Sequence, residues 1–196
     1  MKQKQSGDIS FPSLELLKKE LKRERYKRRF RRILRSTINA LIVVAAIAAL
    51  IATLVLPVLQ IAGTSMEPSL NDGEIVVLMK TNRLETGDLC AFYYSNKILI
   101  KRIIGAPGDF LWINEDGTVY LNNAELIEPY VSEKALGECD VEFPYQVPEN
   151  YYFMMGDHRQ TSIDSRSSVI GCIAEDQIIG KILFKIWPLS DFEWLG

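Results

Sequence analysis

Three short segments carry residue types that can break a peptide bond. Gly63-Thr64-Ser65-Met66-Glu67-Pro68-Ser69 offers a serine hydroxyl in a turn. Lys101-Arg102-Ile103-Ile104-Gly105-Ala106-Pro107-Gly108-Asp109 opens with a lysine that continues an apolar run, Ile98-Leu99-Ile100. Gly156-Asp157-His158-Arg159-Gln160-Thr161-Ser162-Ile163-Asp164-Ser165-Arg166 is polar, turn-rich and dense in hydroxyls and ion-pair formers. A serine and a partly desolvated lysine form a nucleophile and its general base without any histidine. A tight turn at Ser65 would also expose backbone N–H groups to a developing oxyanion.

Each segment has a plain structural reading as well. Ser and Pro are common in ordinary turns, and a lysine stem can pack on a sheet while its amine reaches water. In a strand, Leu99, Lys101 and Ile103 share a face, so two apolar neighbours can desolvate the amine. Burial disfavours the ammonium form and lowers a lysine from its usual pKa of about 10.4. Ser162 or Ser165 can hydrogen-bond a neutral amine, and Asp164 and Arg166 can pair and fix the loop. His158 is the only histidine, so a Ser-His-Asp triad would have to use it, with Asp157 or Asp164.

The elements that must position these groups begin with an apolar run from Ala40 to Leu59, interrupted only by Thr53 and Pro57. Its 20 residues span about 30 Å as a helix, the thickness of a bilayer's hydrocarbon core. It is apolar all round, unlike a half-buried core helix. A cleavable signal peptide would have a shorter apolar stretch, nearer the start. An uncleaved anchor is the better reading. Residues 1–35 carry 13 Lys/Arg against 4 Asp/Glu, a net of +9; the rest carries 10 against 21, a net of −11. Basic residues before the span predict an N-terminus inside and an acidic domain outside. Leu14 to Arg35 is helix-prone and densely basic, and its juxtamembrane place favours anionic headgroups over nucleic acid. Residues 1–12 carry no pattern and are expected to be disordered.

Past Gln60 the pattern is strand-like: 74–79, 89–94, 98–104, 110–113, 119–121, 151–155, 169–173 and 178–186, separated by Gly/Asp/Asn turns. This predicts a mostly antiparallel β domain of barrel or sandwich character. Residues 122–148 read as an acidic surface excursion containing a hairpin. The expected organisation is a basic cytoplasmic segment (1–37), a transmembrane helix (38–59) and an extracytoplasmic domain (60–196). Cys90, Cys139 and Cys172 show no metal-ligand spacing, and an odd count excludes complete pairing. No cofactor or metal is expected.

Together the three segments resemble the bacterial type I signal peptidase (leader peptidase) family, in that family's order from the span to about Gly171. Ser65-Met66-Glu67-Pro68 matches S-M-x-P. Lys101 to Asp109 matches K-R-[VI]-[VI]-G-x-P-G-D, and Gly156 to Arg166 matches G-D-[NH]-x-x-x-S-x-D-S-R. Gly87-Asp88 matches a shorter motif. The resemblance implies that Ser65 is the nucleophile and Lys101 the general base, with Ser162 orienting the lysine and Asp164 pairing with Arg166. It implies shallow apolar pockets lined by Ile61, Met66 and Ile100, which select small residues one and three places before the cut. Some relatives have an oxyanion-hole serine where this chain has Gly63; Thr64 is the nearest substitute. The family's usual threonine after Met-x-Pro is Ser69 here. The chain looks like a compact Gram-positive-type member.

The function so implied is release of secretory preproteins from signal peptides, after Ala-X-Ala-like residues, at the outer face of the cytoplasmic membrane. A catalytically inactive membrane-tethered binding module and a dedicated pilin-processing peptidase remain alternatives on the same fold. Self-cleaving repressor-type proteases share the Ser/Lys dyad, but they carry a DNA-binding or partner module and no span.

Overall fold

The computed structural model describes residues 14–196, and only the backbone over 51–55; residues 1–13, and with them the disorder expected of 1–12, lie outside the described residues. A single helix, α1 (Leu14–Val55), joins the basic stretch to the apolar run. Ion pairs Glu20–Arg23 and Glu24–Lys27 lace its basic part. Its apolar window has a mean hydropathy of 2.1, and among the described residues it is the one helix long and apolar enough to cross a membrane. The helix ends two residues before Pro57, whose ring excludes the helical conformation from the preceding residue. Leu59, the end of the apolar run, lies instead in a strand. The chain divides into two compact units, Met1–Ile51 and Ala52–Gly196.

The second unit is built of short strands: β1 (Val58–Gln60), β2 (Ile75–Met79), β3 (Leu89–Tyr94), β4 (Lys97–Gly105), β5 (Phe110–Ile113) and β6 (Val119–Leu121). They are followed by β7 (Ala124–Glu125), β8 (Tyr145–Gln146), β9 (Tyr151–Met155), β10 (Ile173–Ala174), β11 (Ile178–Trp187) and β12 (Glu193–Trp194). All pair antiparallel. The larger sheet runs β1-β2-β11-β3-β4-β9-β10, with β12 on β11; the smaller runs β7-β6-β5-β8.

The mostly antiparallel β fold therefore holds, but the larger sheet does not close into a barrel. Its end strands β1 and β10 are three and two residues long and pair only with β2 and β9. Two local expectations also change. Residues 169–171 turn rather than extend, since the Ser167 carbonyl accepts Ile170 and Gly171 N–H and Gly171 has φ +63°. The acidic excursion holds no hairpin of its own: β7 and β8, at its two ends, join β6 and β5.

Three apolar clusters anchor this unit. Ile61, Met66, Leu70, Val76, Leu78, Leu89, Ala91 and Ile182 gather beneath the serine turn. Ile104, Leu111, Ile113, Val119, Val147, Phe153 and Met155 join the two sheets. Cys90, Phe92, Ile103, Tyr152, Met154 and Ile173 pack on the β3–β4–β9 part. Each fully buried Leu, Ile, Met or Phe contributes on the order of 1.5–3 kcal/mol. Clusters on both sides of β4, with Ile103 in one and Ile104 in another, hold that strand firmly. The lysine at its middle inherits this rigidity.

Candidate active site

Ser65 lies in a turn between β1 and β2 that is pinned at both ends. Ile61 N–H donates to the Glu74 carbonyl at 2.8 Å, and Gly73 N–H donates to Ile61 at 3.0 Å. Gly63, at φ +95°, takes the left-handed bend that a side chain resists, and its N–H donates to Asp72 Oδ1 at 2.7 Å. Met66 and Leu70 sink into the core below, which leaves Ser65 half-buried at the surface of the turn.

Lys101 belongs to β4, in register with Cys90 of β3. Its Nζ donates to Ser65 Oγ at 2.8 Å and to Ser162 Oγ at 2.9 Å. The residue is only 4% exposed. Burial is the leading cause that brings its pKa down from 10.5 to about 8; Asp164 raises it, Arg166 lowers it and Asp157 raises it. A lysine held there is partly neutral at physiological pH, as a general base requires.

The third segment follows β9 and wraps the lysine from the other side. His158 N–H donates to the Ser65 carbonyl at 3.1 Å, so loop and serine turn are joined through backbone. Asp164 and Arg166, both fully buried, meet at 2.8 Å. Asp164 also accepts Gly156 N–H at 2.9 Å, and Arg166 Nη2 donates to the Ser162 carbonyl at 3.3 Å. The pair thus frames the ends of the loop that presents Ser162.

Ile61, Met66 and Ile100 line one cleft of about 110 Å³, together with Gly63, Ser65 and Lys101. Along its walls run β1 and the first half of β4. Neither has a second strand partner there: β1 pairs only with β2, and β9 pairs with β4 only from Arg102 onward. Unpaired backbone groups beside a narrow apolar cleft suit an extended peptide that adds itself as a strand. A larger cavity of about 370 Å³ lies on the smaller sheet, lined by Phe110, Trp112 and Tyr120, away from the serine and lysine.

His158 does not complete a triad. The one described contact of its ring is Nδ1 with the Thr64 carbonyl, at 3.3 Å, whereas Ser65 Oγ faces Lys101. Among the described residues, no group of three or more His, Cys, Asp or Glu is placed to hold a metal ion. The three cysteines are free thiols. Cys90 is pushed up to about 12 by burial, then by Asp88, which leaves it protonated and inert.

Several supporting residues escape a motif reading. Arg102 makes a forked pair with Asp157, Nε to Oδ1 at 2.9 Å and Nη2 to Oδ2 at 2.6 Å. It also donates to the Gly87 carbonyl at 2.8 Å and to Ser69 Oγ at 3.1 Å. Ser69 thus retains a hydroxyl where the resembling family has threonine. Asp88 binds Lys181 at 2.7 Å. Arg102 and Asp157 each lie in a motif but nothing there names them as partners, and no sequence signal identifies Glu128 as the partner of Arg159.

Comparison with known proteins points to one family. The family model described as signal peptidase, peptidase S26, matches residues 34–187. Signal peptidase IB of Staphylococcus aureus (strain MRSA252) is 36% identical over 154 residues, covering 68% of this chain and 79% of the relative. Signal peptidase I of Bacillus licheniformis is 38% identical over 144 residues, covering 67% and 76%. A crystal structure of a signal peptidase I from Enterococcus faecalis V583 is 26% identical; the match covers 52% of this chain and 98% of that one, with a TM-score of 0.42.

Proposed function

This chain belongs to the signal peptidase family, peptidase S26, and from that premise we propose that it cleaves signal peptides from secretory preproteins with a Ser65/Lys101 dyad. The single observation that carries the mechanism is the 2.8 Å approach of a buried Lys101 Nζ to Ser65 Oγ.

In this reading neutral Lys101 keeps one N–H on Ser162 Oγ and turns its lone pair to the Ser65 hydroxyl. It takes the proton as Oγ attacks the scissile carbonyl carbon. The Ser65 N–H, which has no acceptor among the described backbone hydrogen bonds, faces the oxyanion. Collapse breaks the C–N bond, and the Lys101 ammonium returns its proton to the leaving amine. A water then hydrolyses the ester by the same base. Asp164 and Arg166 hold the Ser162 loop, while Ile61, Met66 and Ile100 shape a cleft for small Ala-X-Ala-like residues. Thr64 is the available second donor beside Gly63.

The setting is a single-pass anchor in the cytoplasmic membrane. Residues 1–37 lie inside, the rest of α1 to Val55 spans the bilayer, and the chain from β1 onward forms the extracytoplasmic peptidase. The basic arm and the apolar window of α1 support this orientation. A catalytically inactive module fits poorly with a lysine buried against a serine, because such burial costs free energy that a binding role does not need.

The test is incubation of the full chain in detergent with a preprotein, reading the new N-terminus of the product. One cut after a small residue, absent with Ser65→Ala, is expected. Cutting at unrelated bonds, or an intact substrate, contradicts the proposal.

A further inference from the structure

The irregular segment from Glu128 to Asp140 grips the loop that carries Ser162. Glu128 and Arg159 have side chains fully shut off from solvent. Arg159 Nη1 donates to Glu128 Oε2 at 3.1 Å, and Nη2 donates to Oε1, a forked pairing that fixes direction as well as distance. The same Oε1 accepts the Tyr130 hydroxyl at 3.1 Å. Above the Tyr130 ring, at 3.9 Å from its centre, stands the guanidinium carbon of Arg102. One carboxylate therefore holds the loop of Ser162 and, through Tyr130, the strand of Lys101.

Contacts farther along keep the segment seated. The Leu136 carbonyl accepts Arg166 Nη1 at 2.6 Å, and Asp140 Oδ1 accepts Ser168 N–H at 2.6 Å. Gly137 allows the approach, because a β-carbon there would stand 2.4 Å from the Arg159 carbonyl oxygen. From Arg159 the path to the site is short: its Nε donates to the Gly156 carbonyl at 3.2 Å, and Gly156 packs against Ser162 Oγ. A buried ion pair is weak evidence of stability, since both charges must be desolvated. Its value here is register.

We propose that Glu128 is a positioning residue for the cleavage reaction, setting the separation between Ser162 and Lys101 and so the seating of the amine against Ser65. The inference rests on the dyad reading above. The charged groups that act on Lys101 are Asp164 and Arg166 of the loop and Asp157 beside it. Neither Glu128 nor Arg159 is among them while the pair is intact. The unpaired Arg159 cation left by Glu128→Gln would push Lys101 down, so a limb displaced to higher pH reports movement and not the lost charge.

The experiment compares the full-length chain in detergent, acting on a preprotein, as wild type, Glu128→Gln and Glu128→Gln/Arg159→Gln, with melting temperatures alongside. Glu128→Gln is expected to lower kcat roughly ten- to a hundredfold, the scale of an ångström-sized misplacement, with KM within about twofold. Its acid limb moves to higher pH, because a loosened loop lets water reach Lys101. The double variant, whose two amides can pair without charge, regains most of kcat. Wild-type kcat and limb in Glu128→Gln would overturn the proposal. So would a loss of activity that tracks melting temperature alone with the limb unmoved. Ser65→Ala and Lys101→Met in the same assay separate the claims: activity there strikes the dyad, whereas silence there beside a fully active Glu128→Gln strikes only the positioning role.

Discussion

Gly156 packs its bare Cα against Ser162: a β-carbon at Gly156 would stand 2.2 Å from Ser162 Oγ and 2.5 Å from the Ser65 carbonyl oxygen. The glycine thus lies where the serine turn, the loop and the lysine's second hydroxyl converge. Gly156→Ala must push Ser162 or the Ser65 backbone aside, by more than a rotamer change can absorb. Preprotein cleavage is expected to fall roughly a hundredfold or more, the scale of ångström-sized misplacement at a reacting centre. An alanine variant with wild-type kcat would contradict the close packing.

The lowered pKa of Lys101 makes a kinetic prediction. Only the neutral amine can take the Ser65 proton, so kcat/KM should rise with pH through about 8, since that ratio reports the free enzyme's groups. The measurement is a pH–rate profile on a peptide spanning a cleavage site. A limb near 10 would mean that the lysine is not buried in solution.

The same shift bears on stability. The folded value of about 8 lies below the unfolded value of 10.5, so between them the unfolded chain binds the proton more often. Stability therefore rises with pH across that window, and below about pH 8 the penalty of the buried lysine is fully present. Lys101→Met should accordingly melt above the wild type at pH 7, with the gap closing toward pH 10.5. A gap independent of pH would show that the titration of Lys101 does not govern the difference.

Asp164 and Arg166 form a fully buried pair, and Arg166 also satisfies the Leu136, Arg159 and Ser162 carbonyls. Arg166→Ala strands a buried carboxylate and those oxygens together. A loss of about 3–5 kcal/mol is expected, on the order of 10 °C in melting temperature for a domain of this size. Thermal denaturation checks it; a shift within a degree or two would contradict the burial.

Ile100 lines the cleft beside Ser65 and Lys101. Ile100→Ala opens that wall, and preproteins with larger residues near the cut are expected to become substrates, at a cost of about 1–3 kcal/mol in discrimination. Competition between Ala- and Leu-bearing peptides measures it. An unchanged preference would assign selectivity to other residues.

What was legible in the sequence was local. The three segments drew attention to Ser65 and Lys101 and left Ser162 and Ser165 both open; it was the resemblance that implied Ser162 and the roles of Asp164 and Arg166. β-Branched runs with Gly/Asp turns indicated the strands, and the apolar neighbours of Lys101 allowed its burial without requiring it. The open sheet was not legible, since closure depends on whether short end strands meet, which periodicity does not encode. Glu128 was hidden for a similar reason. It is one acid among several in an irregular excursion, and its partner Arg159 lies 31 residues away. Gly156 lay in a segment read only as turn-rich, whereas its bare Cα leaves room for Ser162.

The central claim is that Ser65 attacks and Lys101, not His158, takes its proton. Side-by-side cleavage of one preprotein in detergent by Ser65→Ala, Lys101→Met and His158→Ala tests it most directly. The account expects no product from the first two and substantial cleavage by the third, whose imidazole has the Thr64 carbonyl as its one partner among the described residues. Cleavage by Lys101→Met, or its loss in His158→Ala alone, would contradict it.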